Sequence, residues 1–197
     1  AGRALDAPGA AGEPAIDVAA PDDQDHLHSQ LAHLLDLPGH VAHGIGVRLS
    51  EPQYGFIGEL AAFPGPDATI LKLAGAAAGQ RGAICFPIAS NRWFLAGQEG
   101  MDEPVTAKLI PAEGSLIDLS HGRTCLRISG PKAEWVLSKL YAIDFSVAAF
   151  PAGTGLSTTH HSIFTQICRL DAETFDLFVF RSLARSFWHT LQRAAEE

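Results

Sequence analysis

The chain has 197 residues, 47% of them hydrophobic, with 22 acidic against 14 basic side chains and a formal charge of −8. That length and apolar content suffice to bury one sizeable core or two small ones. The charge excludes a general nucleic-acid binder, which needs clustered Lys and Arg to replace phosphate counterions. Residues 1–25 hold six of the acids and one arginine, so residues 26–197 carry 16 acids against 13 bases, a net −3. A near-neutral body suits a chain that buries surface against partners. Three cysteines, Cys85, Cys125 and Cys168, show no C-x-x-C spacing. That usage argues against a disulfide framework and for a reducing cytoplasm. No basic segment precedes an apolar run in the manner of a secretory signal, and no run approaches the roughly 20 apolar residues that cross a bilayer. The expectation is a cytoplasmic chain with neither membrane nor nucleic acid among its partners.

Residues 1–21, rich in Ala, Gly, Pro and Asp, bury too little to offset their ordering entropy and read as a flexible tail. Asp22 then caps an expected helix in which Leu27, Leu31, Leu34 and Leu35 recur at helical spacing before Pro38-Gly39. With that helix, residues 22–110 form a first lobe. "GIGVRLS" and "GFIGELAAF" read as strands, "PDATILKLAG" as a short helix, and "AICFPIASNRWFLAG" as a hairpin turning at Ser90-Asn91. Pro87 inside that hairpin's first arm marks an edge strand, since proline cannot donate to a ladder. "QEGMDEP" reads as a loop.

Residues 111–197 form a second lobe. It opens with two strands joined by the polar turn of "GSLIDLSHGRTCLRISGP". Ser129 and Pro131 start a helix with Pro near its first position, and Ala133, Val136, Leu137 and Leu140 make its apolar stripe. After the loop "FPAGTG" come two or three strands, "LSTTHHSIFTQICRL" and "TFDLFVF". A final helix carries Leu183, Ala184, Phe187, Trp188 and Leu191 on one face. The whole reads as α+β, with antiparallel or mixed sheets and helices packed on one face, in two small lobes.

No residue set compels a catalytic, cofactor or metal assignment. Five of the nine histidines (His26, His28, His33, His40, His43) crowd the first helix and its exit. His26 and His33 sit seven residues apart, about 10 Å along a helix axis and too far to share one ion. His160 and His161 fall in an expected strand, where adjacent rings face opposite sides. The G-x-G fragments at 44–46 and 153–155 do not complete a phosphate-binding loop. No G-x-S-x-G elbow or activated cysteine appears. Asp118 and His121 would serve as an acid–base pair, but Asp, Ser and a Gly122 at positive φ equally build a tight turn, which is the favoured reading. Trp135 lies off the apolar stripe of its helix and, if exposed, makes a natural interface anchor.

"LIDLSHGRTCLRISGPKAEWVLSKLYAIDF" resembles the opening of the folate-binding T-protein (aminomethyltransferase) family, through Asp118 to His121, Ser129 to Pro131, and Leu140 to Asp144. That family continues into a long hairpin bearing Gly-Gly-Ile-x-Asp-Asp, whose acidic end serves one-carbon transfer on tetrahydrofolate. Here the corresponding stretch is shorter and lacks both the Gly-Gly and the Asp-Asp. The resemblance thus implies a kept scaffold and a lost catalytic turn.

The chain is more closely similar to the gamma-subunit family of heterotetrameric sarcosine oxidases. "SQLAHL" (29–34), "NRWFLAG" (91–97), "DLSHGRTCLRISGP" (118–131), "AFPAGTG" (149–155) and "TFDLFVFRSLARSFWHTL" (174–191) carry the likeness. It spans about residues 29–197 and is weakest over 43–110. The resemblance implies no catalytic residue, cofactor or metal on this chain. It implies FAD, FMN, NAD and tetrahydrofolate on alpha and beta partner subunits, and zinc on a small delta subunit. Asp118, His121, Arg123 and Trp135 are then expected at an interface or in a structural turn. Two alternatives remain. One is the equivalent subunit of an N-methylglutamate dehydrogenase-type complex. The other is a stand-alone folate-binding one-carbon protein using His121 and Arg123 around a pterin.

Overall fold

The computed structural model describes residues 42–44, 46–63 and 68–197. The expected tail and first helix, with His26, His28, His33 and His40, lie outside the described residues. Two antiparallel sheets organise the rest. The larger has six strands in the order β1 (Ala42–Gly44), β2 (Val47–Ser50), β7 (Arg123–Ser129), β10 (Thr174–Phe180), β9 (Ile163–Arg169), β8 (Gly155–His160). The smaller has four, in the order β4 (Ile84–Ala89), β5 (Arg92–Gly97), β3 (Phe56–Ala62), β6 (Gly114–Asp118). Every pairing is antiparallel.

Alternation along the strands sorts side chains into layers. On β5, Leu95 and Trp93 join Phe56 and Leu60 of β3 under helix α1 (Ala68–Ala78) and the short helix α2 (Glu103–Thr106). Phe94 and Ala96 point the other way, onto Cys125, Cys168 and Phe178 of the larger sheet. The far face of that sheet, with Leu126, Ile128, Phe175, Leu177 and Val179, is covered by α3 (Ala133–Leu140) and α4 (Ala184–Glu196). On α4 the stripe is Phe187, Trp188, Leu191, Ala194 and Ala195, as helical spacing requires. Each sheet therefore has helices on one face and the other sheet on its second. Phe94 and Phe178 meet at 4.7 Å between ring centroids in the middle layer. Burying each such ring is worth roughly 1.5–3 kcal/mol.

Local signals explain much of this. The hairpin turns where Asn91 takes φ 58°, a conformation asparagine tolerates. Pro87 sits on β4, an edge strand, beside a register shift between Pro87 and Ala89. The strands flanking the polar turn belong to different sheets: β6 joins β3, and β7 joins β2 and β10. Two expectations need correction. Pro131 precedes the first helical residue Ala133 by two positions, with Lys132 as N-cap. "QEGMDEP" contains the first residues of α2, with Pro104 in its opening turn. Strand partnerships also cross residue 110, since β2 pairs with β7 and β3 with β6.

Two buried charges tie the layers. Asp176, fully buried, accepts hydrogen bonds from Tyr54 Oη (2.5 Å) and from Arg127 Nε (2.6 Å) and Nη2 (2.8 Å). Burial, then the Asp176 charge, pushes the Tyr54 phenol upward. Arg169, also fully buried, donates to Glu134 Oε1 (2.6 Å), the Ala172 carbonyl (2.5 Å) and the Phe145 carbonyl, and lies over the Phe175 ring. At the β7–α3 junction Gly130 takes φ +123°, and a Cβ there would fall 2.6 Å from the Gly46 carbonyl oxygen.

All three cysteines are free, and burial raises each thiol, Cys85 to about 11 and the other two further. The folded chain should therefore react with iodoacetamide at pH 8 roughly 100-fold more slowly than the urea-unfolded chain. Mass spectrometry checks this, and rapid triple labelling without denaturant would contradict it. A raised native pKa means the folded state holds protons that the unfolded state has released, so stability falls as pH rises from about 9 through 11. Among the described residues no helix is long and apolar enough to cross a membrane.

Candidate functional site

The turn between β6 and β7 is a corner where the chain passes from one sheet to the other. Asp118 Oδ1 accepts the Ser120 N–H at 2.8 Å. Hydrogen bonding with Ser120, side chain first, holds the Asp118 carboxyl below the usual range. Ser120 Oγ accepts from the Ile57 N–H (2.9 Å) and donates to the Ile57 carbonyl (3.3 Å), fastening the corner to β3. The Leu119 carbonyl takes the N–H groups of Gly122 and Arg123, each at 2.9 Å. Gly122 is not at positive φ. The corner closes through the Asp118 and Leu119 oxygens, so no left-handed residue is needed.

Arg181, just after β10, clamps the outside of this corner. Its Nε donates to the His121 carbonyl (3.1 Å) and its Nη2 to those of Ser120 (3.3 Å) and Arg123 (3.2 Å). Its own N–H meets the Gly122 carbonyl at 2.9 Å. Sequence reading missed Arg181, whose only signal was its place in "FVFRS". His121 is exposed, and its charge is the smallest of the influences that lower the Asp118 carboxyl, which is bonded to Ser120.

Arg123 turns inward and is 8% exposed. Its guanidinium lies over the Phe180 ring at 3.7 Å and near that of Phe164 at 5.2 Å, beside a cleft of about 530 Å³ between the sheets. Burial lowers its pKa, and the Glu59 carboxylate partly offsets this. Asp118, His121 and Arg123 are thus together, while Trp135 belongs to another surface on α3. Trp135 is 46% exposed, with Lys139 Nζ over its ring at 3.4 Å and Lys132 Nζ at 5.4 Å. A shallow depression beside it is lined by Ile143, Asp144 and Phe145.

The histidine pair departs from expectation. His161 takes φ 50° in the β8–β9 turn, which brings its ring to 4.3 Å from that of His160 instead of to the opposite face. His160 Nδ1 lies 2.8 Å from the Leu140 carbonyl oxygen. Among the described residues no group of three or more His, Cys, Asp or Glu side chains is placed to hold a metal ion.

With this geometry in view, comparison with known proteins places the fold. It superposes on aminomethyltransferase T of the glycine cleavage system from Bartonella henselae with a TM-score of 0.52 at 13% identity, covering 82% of this chain and 55% of that one. It superposes on a chain of the heterotetrameric sarcosine oxidase from Corynebacterium sp. U-96, solved with pyrrole 2-carboxylate, with a TM-score of 0.68 at 22% identity, covering 85% and 92% respectively. The class is therefore a T-protein-like α+β fold. Within it, the chain belongs to the sarcosine oxidase gamma subunit family, whose model matches residues 69–197. No curated protein sequence matches the chain.

Proposed function

We propose that this chain is a non-catalytic subunit of a cytoplasmic sarcosine oxidase-type flavoenzyme complex. The assembled enzyme oxidises sarcosine to glycine, passes the methyl carbon to tetrahydrofolate and reduces oxygen to peroxide. In this proposal FAD, FMN, NAD and tetrahydrofolate sit on alpha and beta subunits and zinc on a delta subunit. The present chain supplies buried surface. The observation that carries the reading is the family match over residues 69–197. The corner at Asp118–Gly122 supports it, because Ser120, Asp118 and the clamping Arg181 spend their polar groups on backbone there. Native purification from the producing cells tests it. A yellow complex with larger chains and sarcosine-dependent peroxide formation is expected. A colourless monomer overturns the proposal, and dehydrogenation of N-methylglutamate by the purified complex moves it to that related assembly.

Trp135 is the proposed contact anchor. Half-exposed aromatics of this kind, seated by flanking cations, carry a large share of interface energy. Trp135→Ala should weaken association by roughly 30-fold while leaving the chain's own stability within about 0.5 kcal/mol. Gel filtration across a dilution series and a thermal melt read the two effects separately. Unchanged association would place the contact elsewhere.

A further inference from the structure

We infer that β6 is a docking edge, whose open side pairs with an extended, basic-ended strand of a different chain. β6 closes the smaller sheet on the side away from β4, and among the described residues no strand pairs with its outer side. Hydrogen bonds at its two ends fix which groups face outward. The Leu119 N–H meets the Ile57 carbonyl and the Phe63 N–H meets the Glu113 carbonyl, each at 2.8 Å. Bonded pairs alternate along an antiparallel ladder, so Glu113, Ser115, Ile117 and Leu119 turn their main chain to β3. Leu116 and Asp118 turn both N–H and C=O outward. Gly114 turns its carbonyl outward, while its N–H is held by the Ile110 carbonyl at 3.3 Å. Such a row templates another strand unless something blunts it. The other edges are blunted. β4 carries Pro87 and a register shift, and it lies so close to β8 that the Phe86 ring leaves no room for a Cβ on Gly155. β1 has only three residues. β6 has neither proline nor lysine, keeps an unbroken register with β3, and leaves Ile117 47% exposed.

Charge selects the occupant. With histidine neutral, the only charged side chains between Lys108 and Arg123 are Glu113 and Asp118, one at each end of β6. A second copy pairing antiparallel about Leu116 would set Asp118 opposite Gly114 and diagonally beside Glu113 at both ends. Four carboxylates would then gather along one seam, which is unfavourable. A strand with Lys or Arg near its ends meets the two acids instead. Alternation gives that strand an apolar side chain beside Ile117. Phe63 and Ile110, 44% and 47% exposed and both hydrogen-bonded to Glu113, carry the apolar surface past the start of β6. In strand addition the main-chain bonds supply affinity and the alternate side chains supply specificity. The inference rests on the reading of the chain as a subunit, but on none of the chemistry of the assembly.

Amide hydrogen exchange, resolved to single residues by fragmentation mass spectrometry, compares the free full chain with the complex purified natively from the producing cells. The Leu116 and Asp118 amides should exchange freely in the free chain and roughly 100-fold more slowly in the complex. The Ile117 amide, bonded to β3 in both, is the internal reference. Ile117→Lys should weaken association roughly tenfold, read by gel filtration across a dilution series. Asp118→Asn, which keeps the acceptor for the Ser120 N–H, should weaken it several-fold and flatten its dependence on salt. Both variants should keep the circular dichroism spectrum of the original chain. Unchanged Leu116 and Asp118 exchange in a complex that oxidises sarcosine overturns this inference alone. Protection of both amides in a complex without amine-oxidising activity supports it and overturns the functional proposal instead. A monomer overturns both. Protection produced by self-association of the chain, or association indifferent to both substitutions, overturns the inference as well.

Discussion

Replacing Asp176 by alanine is expected to lower the unfolding free energy by about 3 kcal/mol. Its carboxylate is fully buried between the sheets and takes three hydrogen bonds from Tyr54 and Arg127. Removing it takes away the acceptor of the Tyr54 hydroxyl, which keeps only the Arg127 Nη2 donor at 3.3 Å, and leaves the Arg127 guanidinium without its counter-charge. Loss of one partner in a buried pair typically costs about 3–5 kcal/mol. The Arg127 side chain is 31% exposed and can turn part of its charge to water, which sets the expectation at the lower end of that range. For a chain of this size the melting midpoint should fall by roughly 6–12 °C. Urea denaturation checks the free energy, and a double replacement checks the cause. Arg127→Met combined with Asp176→Leu should cost less than the two single changes summed, because neither charge is then left alone. Additive losses would show that the pair is not the origin of the effect.

Gly130→Ala should cost about 3–4 kcal/mol, for two separable reasons. At φ +123° an L-residue lies outside its allowed regions, worth about 1–3 kcal/mol. The new Cβ would also press to 2.6 Å from the Gly46 carbonyl oxygen and 3.2 Å from Val47 Cα. Both are backbone atoms, so β2 itself must shift rather than a side chain swing away. Gly82 provides the comparison. It has φ +73°, and no atom lies within 4 Å of where an added methyl group would stand, so Gly82→Ala should cost only about 1 kcal/mol of strain. Chemical denaturation of the two variants side by side separates the terms. Equal losses would mean that the approach of β2 to the junction imposes no constraint.

Much of the local structure was legible in the residues. Asn91, Pro87 and the Phe187, Trp188 and Leu191 part of the α4 stripe each encode a nearest-neighbour preference and follow it in the fold, while Leu183, expected on the same face, falls before the helix begins. Sheet membership was not legible. Alternation tells which face of a strand is buried but not against which strand, so a corner and a hairpin turn built from Asp, Ser and Gly look alike. The need for a left-handed residue was assigned to Gly122 and falls instead on Gly130, because it arises from the passage of β2, far away in sequence. Asp176 and Arg169 show the same limit: a charge in "TFDLFVF" or "QICRL" has no local mark of burial, since its partners lie on other elements. In the candidate site, Asp118, His121 and Arg123 were adjacent in the sequence and are adjacent in space. The inward turn of Arg123 toward Phe180 and Phe164 depends on strands that only the tertiary fold brings to it.

The exchange of strands across residue 110 bears on how the chain reaches its folded state. During synthesis β2 emerges early but its inner neighbour β7 comes much later, and β3 gains its second neighbour only when β6 follows. The smaller sheet is complete once β6 has been made, whereas the larger must wait for β7 to β10 to join β1 and β2, so the smaller sheet is inserted between two strands of the larger. Such long-range pairing has high contact order and favours slow, all-or-none folding. A chain nicked between α2 and β6 would keep both sheets only while its fragments stayed together, each supplying the strand the other lacks.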